Sequence, residues 1–324
     1  MRQTLTTASL LALCACQSTN LAPTDLSRKH RRFEFTYEAA LDAPPVGAKD
    51  VRLWIPIPID TPDQKVESVK IEADGKTEER AIEHGFGSSV CVMSDGAPVK
   101  VKAVFTITRY ETHGDTKAYA DAQDSLLPDA KIPLDGKVAT IAASMPSEGD
   151  ALHMGKLLYT HTLDRMKYDK PEGQPWGRGD AEWACESRIG NCTDFHSYFI
   201  GLARSKGIPA RFEMGFSIPG GANPVEPVKG YHCWAYFWSD TQGWVPVDIS
   251  EADKAPEKAE YFFGTLDENR FTMTGGRDVL LTPRPKAGAL NFFVYPYAEV
   301  DGVEFKGVTR AFSRRSGSGS RKCS

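Results

Sequence analysis

The chain has 324 residues, of which 41% are hydrophobic and 25% charged, with 39 basic against 43 acidic side chains. A net charge of −4 gives no basic field to meet phosphate, which argues against a nucleic-acid partner. No apolar run approaches twenty residues, which excludes a multispan membrane protein, and the length suggests about two domains.

The N-terminus reads MRQTLTTASLLALCACQSTNLAPTD. Arg2 precedes a short apolar stretch from Ala8 to Cys16, followed by polar residues and Pro23, the pattern of a signal peptide. Leu13 three residues before Cys16, and Ala15 just before it, resemble a bacterial lipobox. Cys14 does not fit, because Leu13 directly precedes it. The expectation is a signal peptide over 1–15, a lipidated Cys16, and a tether over 16–31. Gln17 after the lipidated Cys resembles the sorting pattern for the outer membrane, so the protein is expected in the bacterial cell envelope, facing the periplasm. Its membrane contact would then be through the lipid anchor alone.

From Arg32 apolar residues recur in steps of two. Phe33, Phe35 and Tyr37 share a face, as do Val51, Leu53 and Ile55, and Val101, Ala103, Phe105 and Ile107. Turn-forming clusters such as Asp74-Gly75 separate the runs, so residues 32–134 are predicted to form a β-sandwich. Pro56 and Pro58 fit only a strand edge or end. No catalytic grouping occurs in this half.

The pattern changes after residue 135. Met154, Leu157, Leu158 and His161 repeat at helical spacing, with Ser147 as a candidate N-cap. Residues 171–180 read as a loop. Phe195, Tyr198, Phe199 and Leu202 then mark an amphipathic helix that Gly207 and Pro209 end. Gly190-Asn191 can turn into this helix, which puts Cys192 in its first turn. There, free N–H groups and the positive end of the helix dipole favour a thiolate, the form a cysteine nucleophile requires.

Downstream, Tyr231–Trp238 and Gly243–Asp248 read as two strands joined by a short turn. Antiparallel pairing brings His232 and Asp248 together at the ends remote from that turn. A carboxylate there can orient an imidazole and stabilise its cation.

The segments GNCTDFHSYFIGLARSKGIPARFEMGF, YHCWAYF and GWVPVDISEA resemble the core motifs of the transglutaminase-like superfamily. The resemblance covers roughly residues 150–255. It implies a Cys192–His232–Asp248 triad with Cys192 as nucleophile, His232 as base and Asp248 as orienting carboxylate. It also implies an α+β fold, a papain/transglutaminase-like catalytic core (helix packed on an antiparallel sheet) over 135–312 preceded by the N-terminal β-sandwich. The Ser/Gly/basic segment 313–324 is expected to be a disordered tail. The implied chemistry is acyl transfer from a peptide or carboxamide bond through a Cys192 thioester. Hydrolysis (protease or amidase) and transamidation (crosslinking) both remain open, with a protein or peptide as the substrate.

Two other readings compete. One is a transglutaminase-fold binding module without turnover. The other is a zinc protein using Cys185, Cys192, His196, His232 and Cys233, although six residues separate Cys185 from Cys192 and no tight second pair exists. No calcium-loop, dinucleotide or P-loop pattern occurs, so no cofactor is expected. Trp183, Trp176 and Gln174 are candidates for a second oxyanion donor beside the Cys192 N–H. Asp194 is expected to be structural, and Arg211 to pair with a core carboxylate. An odd number of cysteines outside the N-terminal segment calls for a free thiol; whether Cys185 and Cys233 pair stays open.

Overall fold

The computed structural model describes residues 28–114, 124–221 and 223–316. The predicted signal peptide, Cys16 and most of the predicted tether lie outside the described residues, as does the chain beyond 316.

Two five-stranded antiparallel sheets form the sandwich. The first runs β11 (Val225–Pro227), β18 (Thr309–Ser316), β1 (His30–Leu41), β6 (Val99–Tyr110), β3 (Gln64–Ala73). The second runs β17 (Val303–Glu304), β16 (Tyr297–Val300), β2 (Val51–Ile57), β5 (Ser88–Ser94), β4 (Lys76–Ala81). The period-two pattern decides the faces. Phe33, Phe35 and Tyr37 of β1 and Ala103, Phe105 and Ile107 of β6 are fully buried, in one cluster with Leu53 and Val92 of the other sheet. Strand β2 is apolar on both sides because Val279, Leu281 and Phe293 cover its outer residue Trp54. Pro56 is tolerated there because β16 pairs only with Val51–Trp54, leaving β5 as its one neighbour.

The second half carries a four-stranded antiparallel sheet, β13 (Gly243–Val247), β12 (His232–Ser239), β10 (Ala210–Ser217), β15 (Arg270–Gly275). Helices α1 (Lys137–Ser144), α2 (Ala151–Arg165), α3 (Ala181–Ser187) and α5 (Ile249–Lys254) surround a central helix, α4 (Cys192–Ser205). Two short ladders complete the fold. Antiparallel β7 (Thr112–His113) pairs with β14 (Thr265–Leu266), and parallel β8 (Lys167–Tyr168) pairs with β9 (Ile189–Gly190). The predicted α+β class and the helix on an antiparallel sheet are both present.

The halves share one core. Phe271 of β15 packs its ring 4.9 Å from Phe35, 5.7 Å from Phe33 and 6.4 Å from Phe105, while Phe216 of β10 lies 4.9 Å from Phe35. Each such buried aromatic contributes about 2 kcal/mol through removal of apolar surface from water.

Four expectations are corrected. The sandwich does not end at residue 134: β11, β16, β17 and β18 from the second half complete both sheets. Residues 313–316 are not tail, because β18 pairs with β1 from Ala40↔Thr309 through Phe33↔Ser316. The sequence TRAFSRRS hid this strand because only Phe312 and Arg314 turn inward. Arg314 is fully buried, its guanidinium satisfied by the carbonyls of Pro219, Gly221 and Asn223. Finally, Asp150 rather than Ser147 caps α2, accepting the His153 N–H at 2.8 Å, and the strand that was expected to start at Arg32 begins at His30.

Candidate active site

The site is built at the N-terminus of α4. Asn191 is the N-cap, its side-chain oxygen accepting the Thr193 N–H at 2.9 Å, and the Asp194 carboxylate accepts the Asn191 N–H at 3.0 Å in return. Asp194 also accepts the N–H groups of Gly177 and Gly179 at 2.6 and 3.0 Å, which ties the 171–180 loop to the start of the helix. Its expected structural role is thus given a form. Burial raises its carboxyl to about 6, against the three backbone donors that favour the charged form. A glycine is required at 190, since a Cβ there would lie 2.5 Å from that of Asp194.

Cys192 is the first residue of α4 and is 2% exposed. His232 opens β12, and Asp248 follows β13 as the N-cap of α5. The β12–β13 ladder pairs Ala235 with Val247, so Asp248 meets His232 on the diagonal rather than directly opposite. The His232 Nε2–Asp248 Oδ2 distance is 2.7 Å. With Nε2 committed, Nδ1 is left to face the Cys192 thiol, which is in hydrogen-bonding contact with His232. The three residues singled out from the sequence therefore converge.

The electrostatics favour an ion pair. Burial alone would raise the Cys192 pKa, but hydrogen bonds from Cys233 and His232 and the charge on His232 hold it well below an ordinary thiol. Burial would lower the imidazole; the Asp248 charge and hydrogen bond, followed by Cys192, push it up to about 9. Asp248 is completely buried, yet His232 and Arg270 hold its carboxyl far below the usual range.

Arg270 is the residue the sequence reading missed. It opens β15, is 2% exposed, and donates to Asp248 Oδ2 from Nη2 at 2.8 Å and from Nε at 3.1 Å. Asp248 Oδ1 accepts from the Ser250 hydroxyl and the Glu251 N–H, both at 3.2 Å. The carboxylate is thus fixed from both sides, as a buried charge must be. Nothing in the local sequence ENRFTMT marks Arg270, because the contact depends on β15 pairing with the non-adjacent β10.

His196, one turn along α4, is fully buried and held down to about 4 by that burial. It is neutral: Nε2 accepts the Ile249 N–H at 3.1 Å, so the proton sits on Nδ1, 3.6 Å from the Cys233 sulfur. Tyr231 bridges the helix start, its hydroxyl 2.9 Å from Asn191 Nδ2 and 2.7 Å from the Thr193 hydroxyl. The zinc arrangement does not assemble. Cys185 lies instead beside Arg165, the relevant histidine nitrogens are engaged, and among the described residues no group of three or more ligands could hold a metal. Cys185 and Cys233 are both free thiols.

The candidate oxyanion donors fare differently. The Trp176 indole N–H is spent on the Pro171 carbonyl at 3.0 Å. Trp183 sits on α3, packed against the core, and Gln174 is exposed on the loop. Beside the thiol, Tyr168 lies with its ring 6.3 Å from that of Phe195, tilted against it, and carries the Lys254 ammonium 3.8 Å over its own ring. Arg211 pairs with the buried Glu213 at 3.2 Å, as expected for a core contact.

Residues 139–249 match the model of the transglutaminase-like superfamily core. A Haemophilus influenzae protein described as uncharacterized is 27% identical over 345 residues, covering 91% of this chain and 93% of that one. A crystal structure described as that of a candidate cysteine protease from Cytophaga hutchinsonii shares the fold. Its TM-score is 0.54 at 13% identity, with 89% of this chain and 98% of that chain covered. The periplasmic domain of TgpA from Pseudomonas aeruginosa aligns at 16% identity over 68% of this chain and 96% of its own, with a TM-score of 0.33.

Proposed function

From the premise of a transglutaminase-like core over residues 139–249, we propose that the chain is a thiol-dependent acyl-transfer enzyme acting on peptide or carboxamide bonds. The observation that carries this reading is the buried relay from the Cys192 thiol through His232 to Asp248, its last link 2.7 Å long.

In this reaction the Cys192 thiolate attacks the carbonyl carbon, and the developing oxyanion meets the Cys192 N–H at the start of α4. His232, already protonated, delivers its proton to the departing amine as the carbon–nitrogen bond breaks. A thioester on Cys192 remains, with His232 now neutral and Asp248 still charged. His232 next removes a proton from water or from an incoming amine, which attacks the thioester and releases an acid or a new amide. Asp248 holds the ring so that one nitrogen always faces sulfur, and Arg270 holds Asp248.

The test is incubation of wild type and Cys192→Ala with casein and a fluorescent primary amine. Cleavage fragments from wild type alone support hydrolysis, and amine incorporation by wild type alone supports transamidation. Equal behaviour of wild type and Cys192→Ala sinks the enzymatic reading and leaves a binding module.

We further propose that the chain is exported and anchored through lipid on Cys16 at the outer membrane. The support is the lipobox-like Leu13-Cys14-Ala15-Cys16 of the sequence; among the described residues no helix is long and apolar enough to cross a membrane. Metabolic labelling with an alkyne fatty acid should mark wild type and not Cys16→Ser; equal labelling overturns the anchor.

A further inference from the structure

Cys233 takes no part in acyl transfer, yet it stands against the nucleophile. It follows His232 on β12, is fully buried, and lies 3.6 Å from His196 Nδ1 and 3.9 Å from the Thr193 hydroxyl, both on the first turns of α4. It is also in hydrogen-bonding contact with the Cys192 sulfur. Both thiols are free. The other two described cysteines are placed elsewhere: Cys185 beside Arg165, and Cys91 in the sandwich cluster around Trp54. Among the described residues, Cys233 is the thiol neighbour Cys192 has.

We propose that Cys192 and Cys233 form a hydroperoxide-responsive modification site, in which oxidised Cys192 is captured by Cys233 as a reversible disulfide. The Cys192 thiolate attacks one peroxide oxygen; the O–O bond breaks, leaving a sulfenic acid on Cys192 and, after protonation, water or an alcohol. The Cys233 sulfur then attacks the Cys192 sulfur. The S–S bond forms, the S–O bond breaks, and the leaving hydroxide takes the Cys233 proton as water. Two thiols lose two electrons and the peroxide gains two.

The sequence of events follows from position. Cys192 must be reachable by any substrate of the site, whereas Cys233 is fully buried. Cys233 already faces the first turns of α4, against Thr193 and His196, and is in hydrogen-bonding contact with Cys192, so the two sulfurs are placed as the neighbours that a bond of roughly 2 Å requires. The product hides the nucleophile and stops its oxidation before the irreversible sulfinic stage. This inference needs the Cys192 thiolate but no acyl transfer, so it can fail or stand independently of the proposed activity.

The experiment treats the reduced full-length protein with hydrogen peroxide and reads peptide masses and iodoacetamide labelling. Wild type should yield a linked Cys192–Cys233 peptide pair lighter by two hydrogens. Labelling of Cys192 should fall at least about tenfold and return with dithiothreitol. In Cys233→Ser and in Cys233→Ala, Cys192 should instead gain two or three oxygens that dithiothreitol does not remove. Oxygen addition without linkage in wild type, linkage of Cys192 to any other cysteine, or full rescue of both variants overturns the proposal. The wild-type linkage map decides even where a variant fails to fold.

Discussion

Replacing Asp248 by Asn removes one charge and keeps most of the shape. The amide oxygen can still accept the Glu251 N–H that the carboxylate accepts now, so the cap of α5 survives. The amide nitrogen then faces His232 and Arg270, which are both donors. At a separation of about 4 Å and an effective dielectric constant near 20, the lost attraction between carboxylate and imidazolium is about 4 kcal/mol, or about 3 pKa units. That takes His232 from about 9 to below the neutral range, since burial alone already depresses it. Without the imidazolium beside it, the Cys192 thiol climbs back towards or above the ordinary value. A thiol with a pKa near 8.5 is only about 0.3% ionised at pH 6, although the more basic sulfur recovers part of the rate through its greater nucleophilicity. The assay is the rate of Cys192 alkylation by iodoacetamide between pH 5 and 9, followed by peptide mass. Wild type should give a nearly flat rate from pH 6 to 8. Asp248→Asn should be slower at pH 6 by at least about tenfold and rise about tenfold per pH unit. Identical profiles, with the variant shown to be folded by circular dichroism, would refute the ion pair.

Further outcomes follow from the same contacts. Arg270→Met leaves Asp248 with a buried charge balanced by His232 alone, and urea unfolding should show a loss of about 3–5 kcal/mol, with Arg270→Lys in between. Asp194→Asn replaces an acceptor of the Gly177 and Asn191 N–H groups by a donor, so limited proteolysis should begin to cut within 171–180 at a stability cost of about 1–3 kcal/mol. Phe312→Ala removes a ring that contacts Phe35, Tyr37, Phe216 and Tyr295 and should cost about 3–5 kcal/mol although it lies far from the thiol. The Cys192–His232 ion pair also sets a pH plateau. His232, raised to about 9, contributes stability that is full below about 6.5 and lost as pH rises through 9. Cys192, depressed, contributes stability present above about 8.5 and lost as pH falls. Their sum is flat between about 6.5 and 8.5, because the folded ion pair and the unfolded neutral pair bind the same number of protons. The unfolding free energy of wild type minus that of Cys192→Ala/His232→Gln should show this plateau; a steady slope across it would contradict the pairing.

What could be read from the sequence was what adjacent residues encode. Cys192 was identifiable because Gly190-Asn191 signals a helix start and the apolar spacing behind it fixes which end is the N-terminus. His232 and Asp248 were identifiable because a short turn pairs their strands, whichever register the ladder adopts. Arg270 escaped because β15 joins the sheet beside β10, and no local pattern states that choice. The C-terminal strands escaped for a related reason. β18 shows Ser, Arg and Thr to solvent and turns only two side chains inward, so its composition is that of a tail while its backbone is that of a strand. Asp150 displaced Ser147 as a cap because the helix starts at Ala151, later than a cap at Ser147 requires. Burial made Asp194 a loop anchor, and that needs Gly177 and Gly179 from a segment with no regular structure.

The position of β18 has a consequence for how the chain comes into being. Ala40 of β1 meets Thr309 across 269 residues of chain, and the segment that carries the candidate site is inserted between these two partners. At about 5–20 residues per second, a ribosome takes some tens of seconds to supply the second after the first. During that interval β1 can pair with β6 on one side, while its other edge stays open. The thiol, imidazole and carboxylate all exist in the growing polypeptide before the sandwich can close. A product cut short after residue 300 would carry a complete set of reacting groups on a scaffold with an unpaired, adhesive flank.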